Sequence, residues 1–176
     1  MRCPRPFSDR KRLAAALAAL AVLAACTPPG DGGDPLLTGH ALMGIGEYQE
    51  ALDAYHAAAA TRGLTADVLS AIGSANLQLG RLGQAESALR LAVERDPAFV
   101  PAWNNLGVTL YQRDELYEAR EVFRLAFALD KGNATEIRDN LRLVDEKIQN
   151  IDQQDAQNPN FRLVRQGNGQ YLLVGI

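Results

Sequence analysis

The sequence predicts an all-α fold: a short helical solenoid with a capping helix and a small C-terminal β-hairpin. Three observations predict it. The chain repeats itself at a spacing of 34 residues, small residues recur at helical intervals within the repeat, and glycine or proline falls where helices should stop. The composition agrees, since 176 residues of which 47% are hydrophobic and 22% charged suffice for one core. Two cysteines and a formal net charge of −3 exclude a disulfide-stapled miniprotein and a basic nucleic-acid binder.

Residues 1–25 read as an address rather than as part of the folded body. Arg2, Arg5, Arg10, Lys11 and Arg12 form a basic start, and an apolar run extends from Leu13 to Leu23. That run is too short for an ordinary membrane-spanning helix. Leu23-Ala24-Ala25-Cys26 resembles the lipobox of bacterial lipoproteins, whose signal is cut before a cysteine that then receives lipid chains. The resemblance implies lipidation of Cys26 and a stable membrane anchor made of several acyl chains. It also implies the periplasmic face of the outer membrane, because Thr27 stands where an aspartate favours inner-membrane retention. Segment 1–25 holds five of the 18 Lys and Arg but one of the 21 Asp and Glu, which leaves 13 against 20 and a net −7. Residues 26–35 carry the lipidated cysteine and a tether rich in Pro and Gly, with no apolar side chain to bury.

The body, 36–150, is organised by the repeat. Leu69, Ile72 and Gly73 recur as Trp103, Leu106 and Gly107. Leu82, Ala85, Leu89 and Ala92 recur as Leu116, Ala119, Phe123 and Ala126. One step earlier, Gly39, Tyr48, Ala51, Tyr55 and Ala58 take the corresponding places, so the units run about 36–65, 66–99 and 100–133. Ala85, Ala88, Leu89 and Ala92 share one helical face, where small residues let two helices approach closely. Gly73 and Gly107 remove a side chain where the first helix of a unit meets the second. Gly46 and Gly80 end first helices, Asp114 takes that place in the third unit, and Asp96-Pro97 ends a second helix. Each helix pair needs a neighbour to cover its apolar face, and stacking leaves a concave side.

Trp103-x2-Leu106-Gly107-x2-Leu110, followed by Ala119, Phe123 and Ala126, resembles the tetratricopeptide repeat (TPR). The likeness extends over roughly residues 36–133. Leu69 stands where the motif often has Trp, Lys131 replaces its terminal proline, and Asp34-Pro35 falls where the first helix should begin.

Between 134 and 150, Ile137, Leu141, Val144 and Ile148 form an apolar stripe on an otherwise charged helix, with Asn133 and Glu136 placed for a capping box. Such a helix closes a solenoid with a polar outer face. Residues 151–176 read as a linker rich in Gln, Asn and Asp, then two strands between Phe161 and Gly175 around Gly167-Asn168-Gly169. A lone hairpin is marginal in water, so it should pack on the solenoid or join another chain's sheet edge.

Chemistry is sparse. His40 and His56 are the only histidines, and no His-Glu-x-x-His, glycine-rich phosphate loop or free thiol beyond Cys26 accompanies them in the mature chain. No catalytic residue, metal site or cofactor is expected. The chain is read as a binding protein and not as an enzyme.

The TPR resemblance implies a groove, lined by the first helix of each unit, that takes an extended or helical peptide of a protein partner. In this register the lining is Ser70, Ser74, Leu77 and Gln78 from the second unit and Asn104, Asn105, Val108, Tyr111 and Gln112 from the third, with His40 and Met43 from the first. Lys and Arg are missing from these positions, which argues against the carboxylate clamp of chaperone-binding TPR domains. Arg138 and Arg142 of the capping helix either bring positive charge to the groove's end or, for Arg142, pair with Glu146. The lipobox, tether and few repeats together resemble the small TPR lipoproteins of tight-adherence (Tad, or Flp-type) pilus assembly. The expected role is a lipid-anchored outer-membrane adaptor that binds protein partners, and no nucleic acid, in the periplasm. The alternative is an adaptor that recruits cell-wall hydrolases or outer-membrane assembly factors.

Overall fold

The structure is a computed structural model that describes residues 33–156, 161–165 and 171–175. The signal segment, Cys26, residues 27–32 of the tether and the Gly167-Asn168-Gly169 turn lie outside the described residues. Among the described residues seven helices follow one another: α1 Pro35–Gly44, α2 Tyr48–Arg62, α3 Ala66–Gln78, α4 Leu82–Arg95, α5 Val100–Gln112, α6 Leu116–Leu129 and α7 Thr135–Ala156. They pair as α1/α2, α3/α4 and α5/α6, each pair packs on the next, and α7 covers α6. This is the TPR solenoid that the 34-residue spacing predicts.

Local signals set the helix ends. Asp34-Pro35, which reads as an interruption, is a helix start: the Asp34 carboxylate accepts from the N–H of Leu36 at 3.1 Å, and Pro35 takes the first turn. The first helix of every unit closes in the same way. Glu47, Arg81 and Glu115 donate their backbone N–H groups to Leu42, Asn76 and Leu110, at 3.0, 2.9 and 2.9 Å. That closure needs a left-handed residue just before the donor. Gly46 and Gly80 supply it at φ +84° and +71°, and Asp114 adopts it at φ +64°.

Packing explains the small residues. A Cβ on Gly73 would stand 2.5 Å from Leu89 Cγ, and one on Gly107 would stand 2.6 Å from Phe123 Cε1. The two helices of a unit therefore touch where glycine leaves a notch for a large side chain. Ala85, Ala92, Ala119 and Ala126 are wholly buried around these contacts. Two apolar clusters run through the stack. Leu36, Tyr55, Val68 and Ile72 join the first two units, while Leu69, Leu89, Leu106, Phe123 and Val144 join the second, the third and the cap. Replacing Ala85 or Ala119 by Leu is expected to cost about 1–3 kcal/mol through overpacking. Urea unfolding reads this directly, and an unchanged midpoint would reject the helix contact described.

The capping helix differs from expectation in two respects. The Asn133–Glu136 box does not form. Instead the Asp130 carboxylate takes the N–H of Ala134, Asn133 Nδ2 donates to the Asp130 carbonyl at 2.7 Å, and Glu136 turns to Asn104. The helix also continues beyond residue 150, where a linker was expected, to Ala156. No glycine or proline precedes Pro159 there, and Gln, Asn and Asp disfavour helix only weakly. Beyond it, β1 Phe161–Arg165 and β2 Tyr171–Gly175 pair antiparallel, with Phe161 opposite Gly175 and Arg165 opposite Tyr171.

Candidate partner-binding cleft

Helices α1, α3 and α5 stand side by side on the inner face, and a cleft of about 330 Å³ opens among them. Helical spacing decides which residues reach it. Asp67, Ser70 and Ser74 of α3 lie on one face at intervals of three and four, as do Pro101 and Asn105 of α5. His40 and Met43 come from α1, Phe99 precedes α5, and Tyr55 rises from α2 behind them.

Tyr55 is 1% exposed, and burial pushes its phenol up to about 12. Its hydroxyl keeps its proton and shares a hydrogen bond with His40 Nδ1 at 3.0 Å, with the two rings edge to face at 5.4 Å. This contact holds the exposed His40 ring in place. Asp67 stays ionised. The Thr65 hydroxyl donates to its carboxylate and holds it below the ordinary range, and the Val68 N–H at 2.9 Å acts the same way against a desolvation cost. Ser70 is only 5% exposed and lines the cleft.

A second cavity of about 210 Å³ lies one helical turn further along α5. It is lined by Val108, Tyr111 and Gln112, by Phe123 of α6, and by Asn140 and Leu143 of α7. Lys147 sits over the Tyr111 ring at 4.8 Å and pairs with Asp114 at 2.6 Å, and the hydrogen bond from that pairing raises its pKa.

The expected lining residues are therefore divided. Ser70, Ser74 and Asn105 meet in the first cleft, with His40 and Met43, while Val108, Tyr111 and Gln112 meet in the second. Leu77 belongs elsewhere: it is buried in the cluster around Leu106 and Leu110, where its apolar surface leaves water. Gln78 is exposed at the end of α3 and lines neither cavity. Asn104 is almost fully buried, with its amide engaged by Glu136 at 3.3 Å and Asn140 at 3.0 Å. Arg138 donates to the Gly132 carbonyl at 2.9 Å and lies 6.0 Å from the Phe127 ring. Arg142 pairs with Asp139 at 3.4 Å, not with Glu146, and neither arginine lines a cavity. Asp67, Pro101, Asn140 and Leu143 were not foreseen as lining. The first two continue the Ser70 and Asn105 faces by one turn, a signal present in the sequence, whereas the last two depend on how α7 crosses α5.

The described residues contain no group of three or more His, Cys, Asp and Glu able to hold a metal ion. The fold and the cleft define a class: a stack of helix pairs whose inner face is open to another molecule. TPR family models match residues 36–98 and 103–133, together more than half of the chain, and the chain belongs to the tetratricopeptide-repeat family. Among solved structures it is similar to the Sgt2 TPR domain from Aspergillus fumigatus, at 23% identity and TM-score 0.65 over 68% of this chain and 80% of that one. It is also similar to the second TPR domain of human RPAP3 in complex with the HSP70 peptide SGPTIEEVD, at 21% identity and TM-score 0.58, over 64% of this chain and 92% of that one. The TPR2B domain of yeast Sti1 in its pHsp70 complex matches at 22% identity and TM-score 0.61, over 64% and 94%. At these identities the likeness establishes the fold. No curated protein matches the chain significantly.

Proposed function

We propose that the chain is a non-catalytic TPR adaptor that binds a segment of a protein partner in the cleft between α1, α3 and α5. One observation carries this reading. Ser70, Ser74 and Asn105 bring polar side chains from two units to one cleft. The RPAP3 and Sti1 domains, which share the fold, are complexes with an HSP70 peptide and with pHsp70, and these support a peptide as the class of ligand. We further propose that Cys26 anchors the body to the outer membrane, with the solenoid in the periplasm, in assembly of a Tad/Flp-type pilus. The basic and apolar leader, the small residues before Cys26 and the Pro/Gly tether support that reading.

Affinity purification of the full chain from membranes tests both levels. Replacing Asn105 and Tyr111 together by Ala should reduce the recovered partner about tenfold while leaving the helical signal unchanged. Equal recovery would move the site off the inner face. A secretin or another pilus-assembly subunit as partner supports the pilus role, and a cell-wall hydrolase would replace it with the alternative adaptor role.

A further inference from the structure

Charge is segregated across the stack. The first helices α1, α3 and α5 contain no lysine or arginine, whereas Arg62, Arg90, Arg95, Arg120 and Arg124 all lie on second helices. On the inner side the described carboxylates are Asp67, in the cleft, and Glu136, which α7 brings to Asn104 of α5. The cations on that side are engaged: Arg62, whose charge reaches Asp67, by Asp34, Lys147 by Asp114, Arg142 by Asp139, and Arg138 by a carbonyl and an aromatic face. Resting on the proposal that the cleft holds a peptide, we infer that its ligand is an extended segment bearing a lysine or arginine with an apolar side chain four positions away. An acidic segment is the one it rejects.

The geometry supports each part. The cation meets Asp67, whose carboxylate is already fixed by Thr65 and Val68 and needs no reordering. The Ser70 hydroxyl and the Asn105 amide, both at the cleft, take backbone groups of the segment. The apolar side chain enters the cavity walled by Val108, Tyr111, Phe123 and Leu143. Asp67 is the repeat equivalent of Pro101, seven residues before Val108, so the two sites lie about 10 Å apart along the helix direction alone. Side chains four positions apart on one face of an extended segment stand about 13 Å apart, so the two sites fit one strand. A carboxylate placed in the same cleft would face Asp67, and the guanidinium that acts on Asp67, Arg62, is already paired with Asp34. The acidic body, with 20 negative and 13 positive groups after residue 25, also steers cationic segments toward itself.

The test uses the full chain in detergent and three labelled peptides of equal length. One bears a lysine and a leucine four positions apart, and in the others that lysine is glutamine or glutamate. Fluorescence anisotropy should show the lysine peptide binding at least about tenfold more tightly than the glutamate peptide, with the difference shrinking as salt is added. Asp67→Asn should reduce the preference about threefold, and adding Glu136→Gln should reduce it further, with unchanged melting of each variant. Equal or tighter binding of the glutamate peptide overturns the inference and leaves the cleft as a peptide site. A lysine preference that survives both substitutions overturns the assignment to these carboxylates. Failure of all three peptides, together with unaltered partner recovery by the Asn105 and Tyr111 variant, overturns the cleft itself.

Discussion

Phe123→Ala is expected to lower the free energy of unfolding by about 3–5 kcal/mol. The ring is 1% exposed and belongs to the cluster that joins the second unit, the third unit and the cap. It fills the notch left by Gly107 and forms one wall of the second cavity. Truncation therefore loses the contact between α5 and α6 and enlarges a space that α7 cannot close. Urea unfolding followed by circular dichroism measures the loss. A shift corresponding to less than about 1 kcal/mol would mean that the third unit is not held together as described.

The second expectation concerns the notch itself. In an open helix, Gly→Ala stabilises by about 1 kcal/mol because alanine has the higher helix propensity. Gly107→Ala should reverse that sign and destabilise by about 1–3 kcal/mol, because the new methyl would stand 2.6 Å from the Phe123 ring. Gly83→Ala is the internal control. It lies in the first turn of α4 with only Arg113 Nη1 near, at 3.8 Å, and should be neutral or stabilising. Combining Gly107→Ala with Phe123→Ala should cost less than the sum of the two, since the vacated ring volume receives the methyl. Additive losses would separate the two residues and refute the contact.

How legible the fold was depended on repetition. Gly73 with Leu89 and Gly107 with Phe123 could be paired from the sequence, because a glycine and a large apolar residue recur at the same separation in successive units. Asp114 could be assigned to a left-handed turn because it falls in register with Gly46 and Gly80. Features that occur once were harder to read. The end of α7 is masked by a polar composition shared by linkers and solvated helices, and its start depends on the Asp130 carboxylate displacing Asn133 as the cap. The lining was half legible for a related reason. Spacing puts Ser70, Ser74 and Asn105 on the inner side, but it does not say that Leu77 turns into the core or that Asn140 reaches Asn104 to bury it. Arg142 had two acidic neighbours at helical spacing, and only side-chain packing chooses Asp139 over Glu146.

Asp114 has a meaning that its two glycine counterparts lack. A side chain at φ +64° is strained relative to glycine, yet this one reaches across to Lys147 and fastens the terminal helix. Gly46 and Gly80 precede another repeat and need no such strap. A single residue thus punctuates the array, marking where stacking ceases. Duplicating the second unit would lengthen the array with its glycine in place, whereas duplicating the third would carry along a full stop, an aspartate stranded in mid-stack without its lysine.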